Sequence, residues 1–179
     1  MPTIFAHAIA SAALARAGEG PRATVKLLAL AAVSGVVPDL DGIGLRLGIP
    51  YDHALGHRGF SHSLTFAAAW AALVVATFLR DQPKKMRLFM VFFAATASHG
   101  LFDAMTNGGR GVGFFIPFDT TRYFLPFRPL EVSPLSATRF LDQAPVLFLS
   151  ELLWVGVPCA ALIVVGWLWR SLASRHTEE

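Results

Sequence analysis

The sequence predicts an all-α, polytopic integral membrane protein: a bundle of four to five membrane-embedded helices under a Gly-, Pro- and aromatic-rich outer loop cap. Two observations carry this fold class. The chain is 54% hydrophobic and 15% charged, whereas soluble domains average about 25% charged residues. Its apolar residues gather in five stretches separated by short polar connections. A length of 179 residues suits one domain, so residues 1–179 are expected to form a single unit.

The first two apolar stretches are short. Residues 3–17 are Ala-rich and stop at the glycines and proline of 18–21, and residues 25–37 stop at Pro38. A full crossing needs about 20 residues. The two stretches therefore predict a tight helical hairpin or a partly re-entrant pair.

The other three stretches are each long enough for a crossing and cover residues 62–79, 88–106 and 144–169. Arg80 and Pro83 follow the first of them, and the turn signal Asn107-Gly108-Gly109 follows the second. The third ends in Trp167, Trp169 and Arg170, a combination typical of a membrane-interface anchor.

Basic residues collect in the short connections, which predicts that those connections are cytoplasmic. They are Arg16, Arg22, Lys26, Arg80, Lys84, Lys85, Arg87, Arg170 and Arg175. The longer segments 38–61 and 107–143 then face outward, and the second of them forms the cap. The net charge of +3 comes from these small clusters between apolar runs. This arrangement predicts membrane-flanking loops and no nucleic-acid partner.

Ionisable residues also occur inside or beside the apolar stretches, where each costs about 2.5–3.5 kcal/mol on insertion scales. They are His7, Asp39, Asp41, His57, His62, His99 and Asp103. Four of them lie 12 to 18 residues from the nearest cytoplasmic basic residue. At about 1.5 Å per residue this places them roughly 18 to 27 Å from the inner edge. The sequence therefore predicts one shared polar site on the outer side.

The spacing of these residues suits metal binding. His99 and Asp103 are four residues apart and share one helix face. Asp39 and Asp41 alternate after a helix-stopping proline, so in extended backbone their side chains share a side. His57 and His62 of HRGFSHS fit a loop that enters a helix, with Ser61 as the predicted N-cap.

Seven ligands exceed the four positions of one zinc ion, which fits either two ions or one ion plus acid–base residues. Histidine and aspartate without cysteine favour zinc, with manganese or iron as alternatives. Taken alone, each histidine is more often structural, and Arg58 is either a charge-neutralising residue or an interfacial side chain that snorkels. Gly35 is expected to serve close helix packing. Glu151, Arg122, Arg128 and Glu131 carry weaker signals, for which structural roles are favoured.

The same motifs resemble the YdjM-like family of bacterial inner-membrane proteins described as metal-dependent hydrolases. The resemblance covers most of the chain in order: His7, PDLD at 38–41, HRGFSHS at 57–63, SHGLFDAMTNGG at 98–109 and the later IPF…R…SPL segment. It implies an integral inner-membrane protein with a metal site formed by His7, Asp39, Asp41, His57, His62, His99 and Asp103. It implies no particular substrate.

The function predicted from the sequence is metal-dependent hydrolysis at the outer membrane–water interface, on a membrane lipid or lipid-linked substrate such as a phosphoester. Asp39, Asp41 or Asp103 would take a proton from the attacking water, and Arg58 would neutralise substrate charge. The alternatives are a metal or proton transporter that uses the same cluster and a non-catalytic membrane protein with a structural metal. The expected location is the bacterial inner membrane, multi-pass, with the site outward. The sequence leaves the oligomeric state open.

Overall fold

Helices make up the regular structure of this protein in a computed structural model that describes residues 1–134 and 137–175. Across these ranges there is no strand, and two isolated bridges are the only strand-like pairings. The all-α prediction is confirmed. The helices are α1 (Ile4–Glu19), α2 (Val25–Val36), α3 (Gly42–Arg46), α4 (Leu64–Phe78), α5 (Lys85–Ala104), α6 (Ala137–Glu151) and α7 (Val157–Arg175).

Hydroxyl side chains begin three of these helices. Thr3, Thr24 and Ser63 each accept a hydrogen bond from the backbone N–H three residues further on. The predicted N-cap at Ser61 is wrong, because Ser63 holds that position at the start of α4. Helix α1 ends at Glu19 and is capped by Gly20, whose φ of 56° a glycine adopts without steric cost.

Helices α1 and α2 form the predicted hairpin and pack with α4 and α5 around an apolar core that includes Ala31, Val74 and Phe92. The expectation that Gly35 serves close packing is confirmed. A Cβ there would lie 1.9 Å from the Ser11 hydroxyl oxygen. The missing side chain therefore sets the close approach of α2 to α1.

The last apolar stretch is longer than predicted. Helix α6 continues through one π-helical segment, Leu152–Gly156, into α7, so the helical run extends well beyond residues 144–169 on both sides. Its inner face packs on α1 through Val155 and Cys159. Its outer face exposes Val165 and Trp167, which is expected of a helix that contacts lipid.

Within the part of the chain that the structure describes, two segments are long and apolar enough to cross a membrane: Val25–Arg46 with 22 residues and Phe140–Ala173 with 34 residues. Leu64–Phe78 is apolar but shorter. The structure therefore shows a helical protein with two candidate spans. The predicted four to five membrane-embedded helices stay a prediction.

The cap covers the end of the bundle where α5 finishes and α4 begins. Leu64 N–H donates to the Phe114 carbonyl, and Gly113 N–H donates to the Arg58 carbonyl, both at 2.9 Å. The predicted cap of 107–143 is too long, since α6 begins at Ala137. Leu135 and Ser136 of that segment, and the side chain of Arg175, lie outside the described residues.

Candidate metal centre

Four separate parts of the chain bring all seven predicted site residues into one connected cluster beneath the cap. Helix α1 supplies His7, and the 3-10 turn Val37–Asp41 after α2 supplies the two aspartates Asp39 and Asp41. The loop before α4 supplies His57 and His62, and the last turns of α5 supply His99 and Asp103. The histidines from α1 and α5 are at most 1% exposed. The cluster is therefore part of the protein interior.

Four donor atoms converge at the centre of this cluster. His62 Nε2 lies 3.0 Å from His99 Nε2 and 3.4 Å from Asp103 Oδ2. His99 Nε2 lies 3.3 Å from Asp39 Oδ1, and all four atoms fall within 4.8 Å of one another. Zinc bonds of about 2.0–2.1 Å in a tetrahedron separate neighbouring ligand atoms by roughly 3.3 Å. The spacing of these atoms fits one such ion.

The hydrogen bonds of the two histidines turn their lone pairs towards that centre. His99 Nδ1 lies 2.7 Å from the Gly35 carbonyl oxygen, which only accepts, so Nδ1 carries the proton and Nε2 a lone pair. His62 Nδ1 lies 3.1 Å from Asp41 Oδ2, which fixes the same tautomer. Metal-binding histidines usually have an outer partner of this kind. Both imidazoles are thus arranged as ligands.

Asp41 is already engaged by other groups. Its Oδ1 lies 2.6 Å from His57 Nδ1, and its Oδ2 accepts from the Ser61 hydroxyl at 2.5 Å and from the Arg58 N–H at 3.0 Å. Asp41, His57 and His62 also form a second group whose donor atoms could hold an ion. In the observed arrangement Asp41 orients the two histidines.

His7 lies beside the centre without a hydrogen-bond partner among the described residues. Its ring stacks on His99 with centroids 3.7 Å apart, and its Nε2 lies 3.6 Å from Asp103 Oδ1. Among the described residues neither ring nitrogen has a hydrogen-bond partner. Buried polar atoms are rarely left in this state without a ligand or water. His7 therefore has a free donor position facing the cluster.

Arg58 is a buried structural link in this end of the molecule. Its Nε lies 2.9 Å from Asp103 Oδ2, and its two terminal nitrogens donate to the Gly108 carbonyl and the Thr106 hydroxyl. The side chain is 1% exposed, so the alternative of an interfacial snorkelling arginine is wrong. Arg58 joins the loop before α4 to the end of α5.

Charge balance also favours a cation. The cluster contains three carboxylates, those of Asp39, Asp41 and Asp103, and one guanidinium, that of Arg58. With neutral histidines these four groups sum to two negative charges. Uncompensated charge is expensive in a buried site. A divalent ion would neutralise it.

Sequence reasoning missed several supporting groups. The Gly35 carbonyl has no side-chain signal at all, and Ser61 was assigned to a helix end. Tyr51 meets His57 edge-on with centroids 5.4 Å apart, and burial raises the pKa of its phenol. Arg122, for which the sequence favours a structural role, donates to the carbonyls of Tyr51 and His57 and so supports the loop.

The weaker sequence signals have structural partners. Glu151 is buried and accepts a hydrogen bond from the Thr3 hydroxyl at 2.8 Å. Glu131 accepts from the Asn107 side chain, and the Arg128 guanidinium lies over the Phe124 ring. These contacts agree with the favoured structural roles.

Comparison with known proteins gives a consistent result. A family model described as YdjM inner membrane protein matches residues 1–175. Inner membrane protein YbcI of Escherichia coli strain K12 is 30% identical over 171 residues, covering 94% of this chain and 98% of that relative. No solved structure matches.

Proposed function

The chain belongs to the YdjM family of inner membrane proteins, and from that premise we propose that it is a membrane-bound, metal-dependent hydrolase. The convergence of four donor atoms carries the proposal. His62, His99, Asp39 and Asp103 would hold one divalent ion, and His7 and His57 lie beside it. The nitrogen and oxygen donors suit zinc best, and manganese or iron fit the same set.

A divalent ion bound there supplies Lewis acidity and a water whose pKa is lowered towards neutrality. Asp39, whose Oδ1 would bind the ion, offers Oδ2 as the best-placed base, because Oδ2 has no hydrogen-bond partner among the described residues and the side chain is 9% exposed. Asp41 holds His57 and His62 in position. Arg58 fixes Asp103 and adds positive charge near the place where negative charge develops on a phosphoester.

A lipid-like or lipid-linked phosphoester at the outer membrane–water interface is the substrate class that best fits the position of the cluster. The cluster lies at one end of α1 and α5, while Arg16, Arg22, Lys85 and Arg87 lie at the other end of these helices. Because basic ends favour the cytoplasm, the cluster would face outward in a multi-pass arrangement.

Two observations bear on the alternatives. His99 and Asp103 are fully buried, which favours a structural metal that joins the turn after α2, the loop before α4, and α5 as the second candidate function. A transporter would need polar groups that continue through the bundle. The side chains packed between α2, α4 and α5, such as Ala31, Val74 and Phe92, are apolar.

The first experiment is elemental analysis of the full chain purified in detergent, beside an Asp39→Asn/His62→Ala variant. We expect stoichiometric zinc or manganese in the native protein and its loss in the variant. Asp52→Asn/His53→Ala is the matched control, since both residues are exposed in the same loop region. Native protein that stays metal-free after incubation with these ions would refute the proposal.

A second experiment separates catalysis from a structural metal. Release of phosphorylated headgroups from phospholipids, and of phosphate from isoprenoid phosphates, is measured in vesicles with native protein and with Asp39→Asn. We expect release that depends on metal and falls in the variant. A protein that binds metal stoichiometrically and turns over none of these substrates would support the structural role.

A further inference from the structure

The opposite end of the bundle contains a second feature that the proposed function does not use. A cavity of about 730 Å³ lies where α1 and α7 end and α5 begins. Arg22, Arg87 and Arg170 line it, together with Trp169. Along α1, Ala17 in this cavity is ten residues from His7, or roughly 15 Å. The cavity is therefore separate from the metal centre.

Positive charge dominates this cavity. Arg87 Nε lies 2.7 Å from Glu19 Oε1, and Arg170 Nη1 donates to the Ala17 carbonyl at 2.7 Å. A guanidinium has five N–H groups, so these contacts use only part of the hydrogen-bonding capacity. Among the described residues three arginines line this cavity and Glu19 pairs with one of them, Arg87, which leaves two positive charges. Such a pocket suits a phosphate group.

An apolar groove continues from the basic cavity. A second cavity of about 530 Å³ is lined by apolar side chains such as Leu101 and Phe114. Leu14, Ala94 and Leu162 line both cavities, so the two form one groove along α1, α5 and α7. From Arg87 to Leu101 the groove follows 14 residues of α5, or roughly 21 Å. That length accommodates an acyl chain of one leaflet, which is about 15 Å deep.

We propose that this groove is a binding site for an anionic phospholipid. Arg22, Arg87 and Arg170 bind the phosphate, Trp169 lies at the headgroup level, and one acyl chain occupies the apolar length. Basic pockets between membrane helices bind anionic headgroups in this way. The phosphate lies far from the metal centre, so this lipid is a bound partner of the helices and not the substrate of the hydrolase.

The test is native mass spectrometry of the full chain in detergent, titrated with dioleoyl phosphatidylglycerol or with dioleoyl phosphatidylcholine. We expect selective retention of the anionic lipid. Each arginine near a membrane surface contributes about fivefold, so Arg22→Gln/Arg170→Gln should weaken binding roughly 30-fold. Arg80→Gln is the control, because Arg80 is exposed and pairs with Asp81 outside the groove.

A groove-filling variant tests the acyl contribution independently of the arginines. Ala94→Leu should weaken binding of the anionic lipid roughly tenfold through overpacking. Ala69→Leu, at an exposed position on α4, should leave it unchanged. The comparison of Ala94→Leu with Ala69→Leu tests lipid binding in the groove even if the arginine variant does not fold. Equal binding of the two lipids, equal affinity of Ala94→Leu and Ala69→Leu, or full displacement by equimolar glycerol phosphate would overturn the proposal.

Discussion

The two ends of the α1–α5 helix pair carry opposite excess charges. At the metal-centre end, the cluster contains three carboxylates and one arginine, and Asp103 and Arg58, which pair with each other, are at most 1% exposed. At the other end, three arginines line the basic cavity, one of them, Arg87, pairs with the Glu19 carboxylate, and the Arg87 side chain is 40% exposed. The same helices thus carry an acidic site inside the protein and a basic site open to its surroundings.

This difference determines what each end requires. Buried acids cannot be neutralised by solvent, so a cation bound at the interior site would compensate their charge, and its protein groups must be held rigidly. Exposed arginines are partly solvated and screened, so the basic end is stable without a ligand. The two ends should therefore respond very differently to the same kind of mutation.

The largest expected difference is in the unfolding free energy lost when an acid is changed to its amide at each of the two ends. Asp103→Asn leaves the buried Arg58 without its counter-charge, which costs about 3–5 kcal/mol of unfolding free energy. Glu19→Gln removes the partner of the partly exposed Arg87, where solvent screening reduces the cost to about 1 kcal/mol. Thermal unfolding in detergent measures both. Equal losses would show that the ends do not differ in electrostatic environment.

Metal removal should lower the unfolding free energy through the metal-centre end of the bundle only. Chelation of an ion present at 100 times its dissociation constant lowers the unfolding free energy by about 2.7 kcal/mol. We expect EDTA to lower the melting temperature of the native protein and zinc to restore it. Asp39→Asn/His62→Ala should not respond to either addition. A native protein insensitive to EDTA, although it contains metal, would contradict a role of the ion in stability.

The next largest effect is expected from a change in helix packing beside the metal centre. A Cβ on Gly35 would lie 1.9 Å from the Ser11 hydroxyl and 2.8 Å from the His7 carbonyl. Gly35→Ala should cost about 1–3 kcal/mol through overpacking. It should also lower metal affinity, because the Gly35 carbonyl holds His99 Nδ1. Gly42→Ala is the control, since nothing lies within 4 Å of its added Cβ.

If the Gly35→Ala protein is destabilised but keeps a normal metal content, Gly35 is needed for helix packing and not for ligand positioning. Isothermal titration with zinc, beside the melting temperature, distinguishes the two. The control variant should match the native protein in both measurements.

Local sequence features predicted the helices and predicted that the candidate site residues lie close together. A proline after α2 and a four-residue spacing on α5 are signals that act over one or two turns. They were enough to place Asp39 and the His99–Asp103 pair at one end of the bundle. The number of membrane crossings is a property of several helices packed in lipid, so it does not follow from the length of each apolar stretch.

Long-range contacts account for what the sequence did not reveal. Asp41 contacts His57, which lies in a loop 16 residues further along the chain. The orienting role of Asp41 therefore depends on how that loop folds back. The cap was predicted to reach residue 143 because its prolines mask the start of α6 at Ala137. A backbone carbonyl such as that of Gly35 has no sequence signature.

The smallest effects are expected for the two serines of HRGFSHS, Ser61 and Ser63. Ser63→Ala removes the N-cap of α4 and should cost about 1 kcal/mol without changing zinc affinity. Ser61→Ala removes a hydrogen bond to Asp41 Oδ2, so it should also cost about 1 kcal/mol of stability. Because Asp41 orients His62, Ser61→Ala should in addition weaken zinc binding by roughly tenfold. Parallel unfolding and zinc titrations of the two variants measure both quantities. Equal zinc affinity in the two proteins would mean that Ser61 supports the loop alone and that Asp41 holds His62 without it.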